Sequence, residues 1–148
     1  MKELYFNEVL ELCHKLNIHI KGIFCRDQIP NDLHNEWIII NLDKHTGSGT
    51  HYTAFYRGKQ NCRDNQNLYF DSFGMPACEE LKNKYGKNYI YNHKQIQSMT
   101  SDSCGWFCIA CIGYCEKYGN TEHSFHSFLD LFTDKVELNE KILESYFK

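Results

Sequence analysis

The sequence has little of what a membrane protein or a nucleic-acid-binding protein needs. Its longest apolar stretch, residues 105–115, falls short of the roughly 18 residues that a membrane span requires. Lysine and arginine total 16 against 19 acidic residues, so the net charge is −3. Nucleic-acid binding depends on a broad basic surface, which this balance does not provide. We therefore expect a soluble protein that binds neither membrane nor nucleic acid.

An export signal is also missing from the start of the sequence, where acidic residues interrupt the apolar ones. Eight cysteines are present in 148 residues. Without export, such cysteines are expected to remain free thiols in a reducing compartment. Hydrophobic residues make up 42% of the chain, and only two residues are prolines. With no repeats or low-complexity segments, this composition predicts one globular domain over residues 1–148, which we expect to be a monomer.

The periodicity of the chain predicts an α+β fold. A short amphipathic helix opens it, and β-branched segments follow that are typical of strands. The middle strands are predicted to form an antiparallel central sheet, flanked by a helix after Pro76 that ends at Gly86 and by three helices towards the C-terminus. Asp134 and Glu137 have the spacing of a capping box for the last of these. The predicted strands are "IHIKGIF", "EWIIINL", "HYTAFYR", "NLYFDSF" and "KNYIYN".

The stretch "SDSCGWFC" places Cys104 where a helix is predicted to begin. Unpaired backbone N–H groups and the helix dipole favour a thiolate there, with Ser103 or Asp102 as the N-cap. Gly105 has no side chain, so we expect a substrate backbone to come close to it. This context alone leaves two alternatives open for Cys104, a nucleophile or a core residue.

Other chemically active residues have simpler interpretations. Cys108, Cys111 and Cys115 follow Cys104 at helical spacing, which is typical of core packing. Zinc is a minor alternative, because tetrahedral sites usually draw ligands from separate loops, and we predict no metal site. The aromatic stripe of Phe125, Phe128, Leu129 and Phe132 is predicted to be core, as are Trp37, Trp106 and Phe107. Seven histidines lack the spacing that is typical of metal ligands: His14, His19, His34, His45, His93, His123 and His126.

A thiol nucleophile needs a base, and the base needs an orienting group. His51 opens the predicted strand "HYTAFYR" after a glycine-rich turn, and Asp71 ends the next strand, "NLYFDSFG". If the two strands pair as antiparallel neighbours, these side chains meet at one edge of the sheet. We therefore predict an ion-paired couple.

Three stretches together resemble the adenovirus-type cysteine proteases, the adenain family, and especially their relatives in virophages and Polinton-like viruses. They are "NLDKHTGSGTHYTAFY", "LYFDSFG" and "QIQSMTSDSCGWFC". As in that family, a histidine follows a glycine-containing turn, an acid ends a strand, and Gln97 precedes the "CG" cysteine by seven positions. The resemblance covers residues 18–119 and neither chain end.

The resemblance implies a papain-like catalytic centre on the adenain and ubiquitin-like-protease type of fold. Cys104 would be the nucleophile, His51 its base and Asp71 the group that orients the imidazole. The side-chain amide of Gln97, with the backbone N–H of Cys104, would bind the oxyanion, and Gln95 is the rival for that role. Tyr52 stands where the family commonly has tryptophan, which implies a role with Gly105 in the substrate channel.

The implied function is a viral cysteine endopeptidase that cleaves capsid precursors beside small residues during virion maturation. The implied location is the virion and the virus factory. No cofactor is expected, because this acidic chain lacks the charge for stimulation by DNA, and an activating viral peptide is left open. The alternatives are a processing protease for ubiquitin-like proteins and an inactive binding module.

Overall fold

The computed structural model describes residues 1–43, 51–59 and 67–148. His45 and the predicted glycine-rich turn before His51 lie outside these residues. The helices and strands in the described part are α1 (Phe6–Lys15), β1 (Ile23–Cys25), β2 (Glu36–Asn41), β3 (Tyr52–Arg57), β4 (Asn67–Phe70), α2 (Glu79–Tyr85), β5 (Tyr89–Tyr91), α3 (Cys104–Tyr118), α4 (Glu122–Leu129) and α5 (Val136–Tyr146).

The strands form one sheet in the order β1-β2-β3-β4-β5. The α+β class is confirmed, and β2, β3 and β4 are antiparallel neighbours, as predicted for the middle of the chain. The prediction of an antiparallel sheet is wrong at both edges, where β1 pairs with β2 and β5 pairs with β4 in parallel. The sheet is therefore mixed.

The parallel pairs follow from the connections between the strands. Parallel neighbours need a crossover that returns the chain to the starting end of the sheet. Between β4 and β5 this crossover contains α2, and between β1 and β2 it is the loop of residues 26–35. Strand periodicity alone does not say whether a segment runs parallel or antiparallel.

Both faces of the sheet are covered by apolar side chains. In β2, Trp37 and Ile39 pack with the helical layer, and the alternate residues Ile38 and Ile40 pack with the α2 side. This alternation is the two-residue period of a strand. Because both faces of the sheet are covered, neither set of side chains meets water, and the run "WIII" is apolar throughout.

Helix α3 is the central helix of the larger layer and contacts β3, α1, α4 and α5. Cys108, Cys111 and Cys115 are completely buried, which confirms their predicted core position. The aromatic stripe, which consists of Phe125, Phe128 and Leu129 in α4 and Phe132 after it, is also buried, and so are Trp37 and Phe107. Trp106 is only half-buried, and its indole N–H donates to the carbonyl of Lys2.

The predicted helix ends are partly correct. Gly86 and Gly119 follow α2 and α3 with positive φ, as expected of C-terminal glycines. The capping box predicted for α5 is wrong, because the helix begins one residue after Lys135, which makes no side-chain cap bond. Within the described ranges, no helix has the length and apolar character to cross a membrane.

Candidate active site

The start of β3 and the end of β4 lie side by side, and this brings His51 to Asp71. Ala54 pairs with Phe70 in the antiparallel register. The residues just before Ala54 and just after Phe70 therefore lie side by side at the same end of the two strands. His51 Nε2 lies 2.7 Å from Asp71 Oδ1, which is the contact that the strand pattern predicts. The side chains are only 12% and 2% exposed, so water screens the pair weakly.

The main chain and carboxylate of Asp71 are held by several hydrogen bonds. Its Oδ1 accepts from the backbone N–H of Phe73 at 2.9 Å, and its carbonyl accepts from Gly74 at 2.7 Å. The side chain of Asn92 bonds the N–H and carbonyl of Asp71, at 3.2 and 2.7 Å. Sequence reasoning missed Asn92, because a single asparagine after a short strand carries no spacing signal.

The imidazole of His51 stacks on the ring of Phe73, with centroids 4.6 Å apart and an interplanar angle of 25°. Phe73 lies inside the motif "FDSFG", but its contact with the histidine was not predicted. The stacking covers one face of the imidazole, so it limits both the exposure and the rotation of the ring.

The charge state of His51 depends on its two neighbours. Burial lowers the pKa of His51, but the hydrogen bond to Asp71 and a side-chain interaction with Cys104 raise that pKa to about 9. Since Nε2 faces Asp71, Nδ1 is the ring nitrogen that remains for the cysteine. The imidazole is therefore a cation at neutral pH, placed between a carboxylate and a thiol.

Cys104 is the first residue of α3, as predicted, and 9% of its surface is exposed. Ser103 is the N-cap residue, but its side chain makes no cap bond to the helix. The first N–H groups of α3 therefore keep their capacity to stabilise negative charge beside the thiol. Cys104 thus combines the contact with His51 and the favourable end of a helix.

Gln97 is buried, and both ends of its side-chain amide are bonded. Its Oε1 accepts from the hydroxyl of Ser72 at 2.5 Å, and its Nε2 donates to the carbonyl of Ser101 at 2.7 Å. A carbonyl can only accept, so the nitrogen must be the atom that faces Ser101. The amide nitrogen carries a second N–H beyond this bond. Gln95, the rival, donates to the carbonyl of Gln97 and thereby supports it.

Gly74 lies in the turn after Asp71 and packs against the backbone of residues 94–95, close to Gln97 in the chain. Its φ is +76°, and a Cβ built on it would lie 2.6 Å from the carbonyl carbon of Lys94. Both the left-handed backbone and the close approach exclude a side chain here. The glycine thus allows the Asp71 turn and residues 94–97 to pack directly against each other.

The two predicted substrate-binding residues lie in packed surroundings. A Cβ on Gly105 would meet Leu4 and Tyr52 side chains at 3.5 Å, so that side of the glycine faces the core. The close approach of a substrate to Gly105 stays a prediction. Tyr52 is 8% exposed, and its ring lies 6.0 Å from that of Phe6. Its place in a substrate channel stays a prediction.

The described residues contain no group of three or more His, Cys, Asp or Glu side chains that could hold a metal ion. Asp71, His51 and Cys104 instead form a row of a carboxylate, an imidazole and a thiol, and the buried amide of Gln97 bonds Ser72 and Ser101. No protein-family model and no curated protein sequence matches the chain.

Proposed function

We propose that this protein is a cysteine endopeptidase with a papain-like catalytic centre of the adenain type. The observation that carries the proposal is the 2.7 Å bond between the partly buried His51 and the buried Asp71, beside the thiol that begins α3. An oriented imidazole next to a cysteine at a helix N-terminus is the arrangement that activates a thiol. An imidazole placed only for packing would not need a buried carboxylate partner.

The proposed reaction begins with a proton on His51 and a thiolate at Cys104. The thiolate attacks the carbonyl carbon of the scissile peptide bond, and the carbonyl oxygen becomes an oxyanion. The free N–H of Gln97 and the backbone N–H of Cys104 donate to it. The C–N bond then breaks, and Nδ1 of His51 gives its proton to the leaving amine.

Water completes the cycle by cleaving the thioester. His51, now neutral, takes a proton from the water as it attacks the acyl carbon, and the thiolate leaves. Asp71 stabilises the imidazolium that forms again and keeps Nε2 as the protonated nitrogen that faces it. The acid product is then released, and the ion pair of Cys104 and His51 is restored.

The resemblance of the motifs supports a viral substrate class. We infer cleavage of capsid and other virion precursors beside small residues, in the virion and the virus factory. Phe73 stacks on His51 beside the proposed nucleophile, and we infer that its ring limits the width of the approach to the thiol.

The decisive experiment compares two cysteine variants. Purified protein is mixed with capsid precursors of the same virus, and fragments are followed by mass spectrometry. Discrete fragments are expected, and they should vanish in Cys104→Ala. Cys108→Ala is the matched control, because Cys108 lies one turn further along α3, is fully buried and donates to the carbonyl of Tyr52. Fragments that persist in Cys104→Ala would reject the proposal.

A second measurement needs no natural substrate. Iodoacetamide should alkylate Cys104 faster than the other thiols of the described residues, because Cys104 lies at a helix N-terminus beside His51. Burial raises the pKa of Cys25 and of Cys78, the partly exposed thiols of the described residues, so these should react more slowly. Peptide mapping identifies the alkylated residue.

A further inference from the structure

We propose that helix α5 positions the segment leading into Cys104, with Asn139 and Glu140 as its positioning residues. The segment is residues 96–103, which contains Gln97 and ends at the N-cap of α3. The inference rests on the proposed function, because it assigns α5 to the oxyanion side of that site. Sequence reasoning missed both residues, which lie outside the part of the chain that resembles the protease family.

Asn139 holds the beginning of the 96–103 segment. It is completely buried, and its Nδ2 donates to the carbonyl of Ile96 at 2.9 Å. The other hydrogen bonds of this side chain go to Thr133. Nδ2 of Asn139 donates to the carbonyl of Thr133, and Oδ1 accepts from the backbone N–H and the hydroxyl of Thr133. Since every polar group of Asn139 is used, the side chain has one defined orientation. Ile96, next to Gln97, is thereby tied to α5.

Glu140 holds the other end of the segment. Its Oε1 accepts from the hydroxyl of Ser103, from the amino group of Met1 at 3.1 Å, and lies 3.5 Å from the hydroxyl of Ser101. Burial would raise the pKa of Glu140, but the hydrogen bonds from Ser103 and the amino group outweigh it, and the pKa lies below its usual value. The acceptor is therefore a carboxylate at neutral pH.

The hydroxyl of Ser103 bonds Glu140 and does not cap α3. A serine at this position commonly accepts a hydrogen bond from the first turn of the helix. Here its hydroxyl donates to Glu140, and no side-chain cap bond is made. Helix α5 thus fixes the segment at both ends and leaves the N–H groups around Cys104 available to an oxyanion.

Ser72 completes the support from the opposite side. Its carbonyl accepts from the backbone N–H groups of Ile96 and Gln97, at 2.8 and 3.0 Å. The segment is therefore held between the Asp71 turn and α5. A displacement of α5 would move the Gln97 amide relative to the thiol while leaving the His51 and Asp71 contact, which belongs to β3 and β4, in place.

The test uses the full chain with Glu140→Ala, Glu140→Gln and the control Glu144→Ala, whose side chain is exposed on the same helix. The first readout is hydrogen exchange of the Ser101 and Ser103 amides, which bond within the segment. We expect exchange about tenfold faster in Glu140→Ala, as for the loss of a hydrogen bond to a charged group. Glu140→Gln should restore most of the protection, because its amide oxygen can still accept.

The second readout separates oxyanion binding from thiol activation. In Glu140→Ala, kcat for peptide hydrolysis should fall by about 10- to 100-fold, less than the roughly 10²- to 10³-fold loss when an oxyanion donor is removed outright. The rate and pH profile of Cys104 alkylation should not change, because alkylation forms no oxyanion. Ser103→Ala should reproduce the kcat effect from the other partner, and the double variant should lose little more than either.

Unchanged exchange at Ser101 and Ser103 in Glu140→Ala would overturn the inference, whatever the protein hydrolyses. Equal losses of hydrolysis and alkylation would also overturn it, since they would make Glu140 a support of the whole site. If exchange responds but the unaltered protein cleaves no peptide, the proposed function fails and the role of α5 as the support of the segment stands.

Discussion

Replacing Asp71 by asparagine isolates the electrostatic contribution of the buried carboxylate. Asparagine has nearly the same shape and can still accept a hydrogen bond from His51 Nε2, but it has no charge. Burial continues to lower the pKa of the ring, and the interaction with Cys104 remains the only major opposing effect. We therefore expect the pKa of His51 to fall from about 9 in the Asp71→Asn variant.

The magnitude follows from the pKa of the ring. A rise from 6.5 to about 9 corresponds to a net preference of about 3 kcal/mol for the charged imidazole, which remains after burial has opposed the contributions of Asp71 and Cys104. Because the folded pKa lies above the unfolded value, this stabilisation is complete below pH 6.5 and is lost as the pH rises through 9. The free energy of unfolding should fall over this window, and less steeply in Asp71→Asn.

Two measurements check this expectation. The ring of His51 can be titrated by NMR, with its resonance assigned from a His51→Gln variant. Urea unfolding at pH 6, 7.5 and 9.5 measures the stability. Asp32→Asn is the control, because the Asp32 side chain is 81% exposed and pairs with Lys21 away from the site. The reasoning is refuted if the ring titrates near 6.5 in both proteins, or if the two unfolding curves depend equally on pH.

Two further predictions concern the packing around the site. Gly74→Ala should lower the free energy of unfolding, measured in urea, by about 1–3 kcal/mol more than Gly86→Ala does. Both glycines have positive φ, but only Gly74 lies against the backbone of Lys94. Equal losses of stability would contradict this close approach. Ser72→Ala removes the donor to Oε1 of Gln97 and should lower kcat for the proposed hydrolysis without slowing alkylation of Cys104. An unchanged kcat would mean that this contact does not orient the amide.

Much of the fold was predictable because its signals are local. The β-branched run of β2, the helical spacing of the cysteines in α3 and the glycines after α2 and α3 each reflect the preferences of adjacent residues. The meeting of His51 and Asp71 was also predictable, since it needs only two sequential strands that pair as antiparallel neighbours. The catalytic roles of these residues remain predictions that the cysteine variants test.

Local sequence patterns were sufficient to predict the α+β class, the antiparallel pairing of the middle strands and the end of the sheet at which an imidazole meets a carboxylate. Three features follow instead from the packing of whole elements: the outer strands run parallel, Gly105 faces Leu4 and Tyr52, and Ser103 bonds Glu140 without capping α3. Each of these depends on residues far apart in the chain, whose contact is set by how whole elements pack. Periodicity describes one element at a time, so it carries no information on which distant side chain that element will meet.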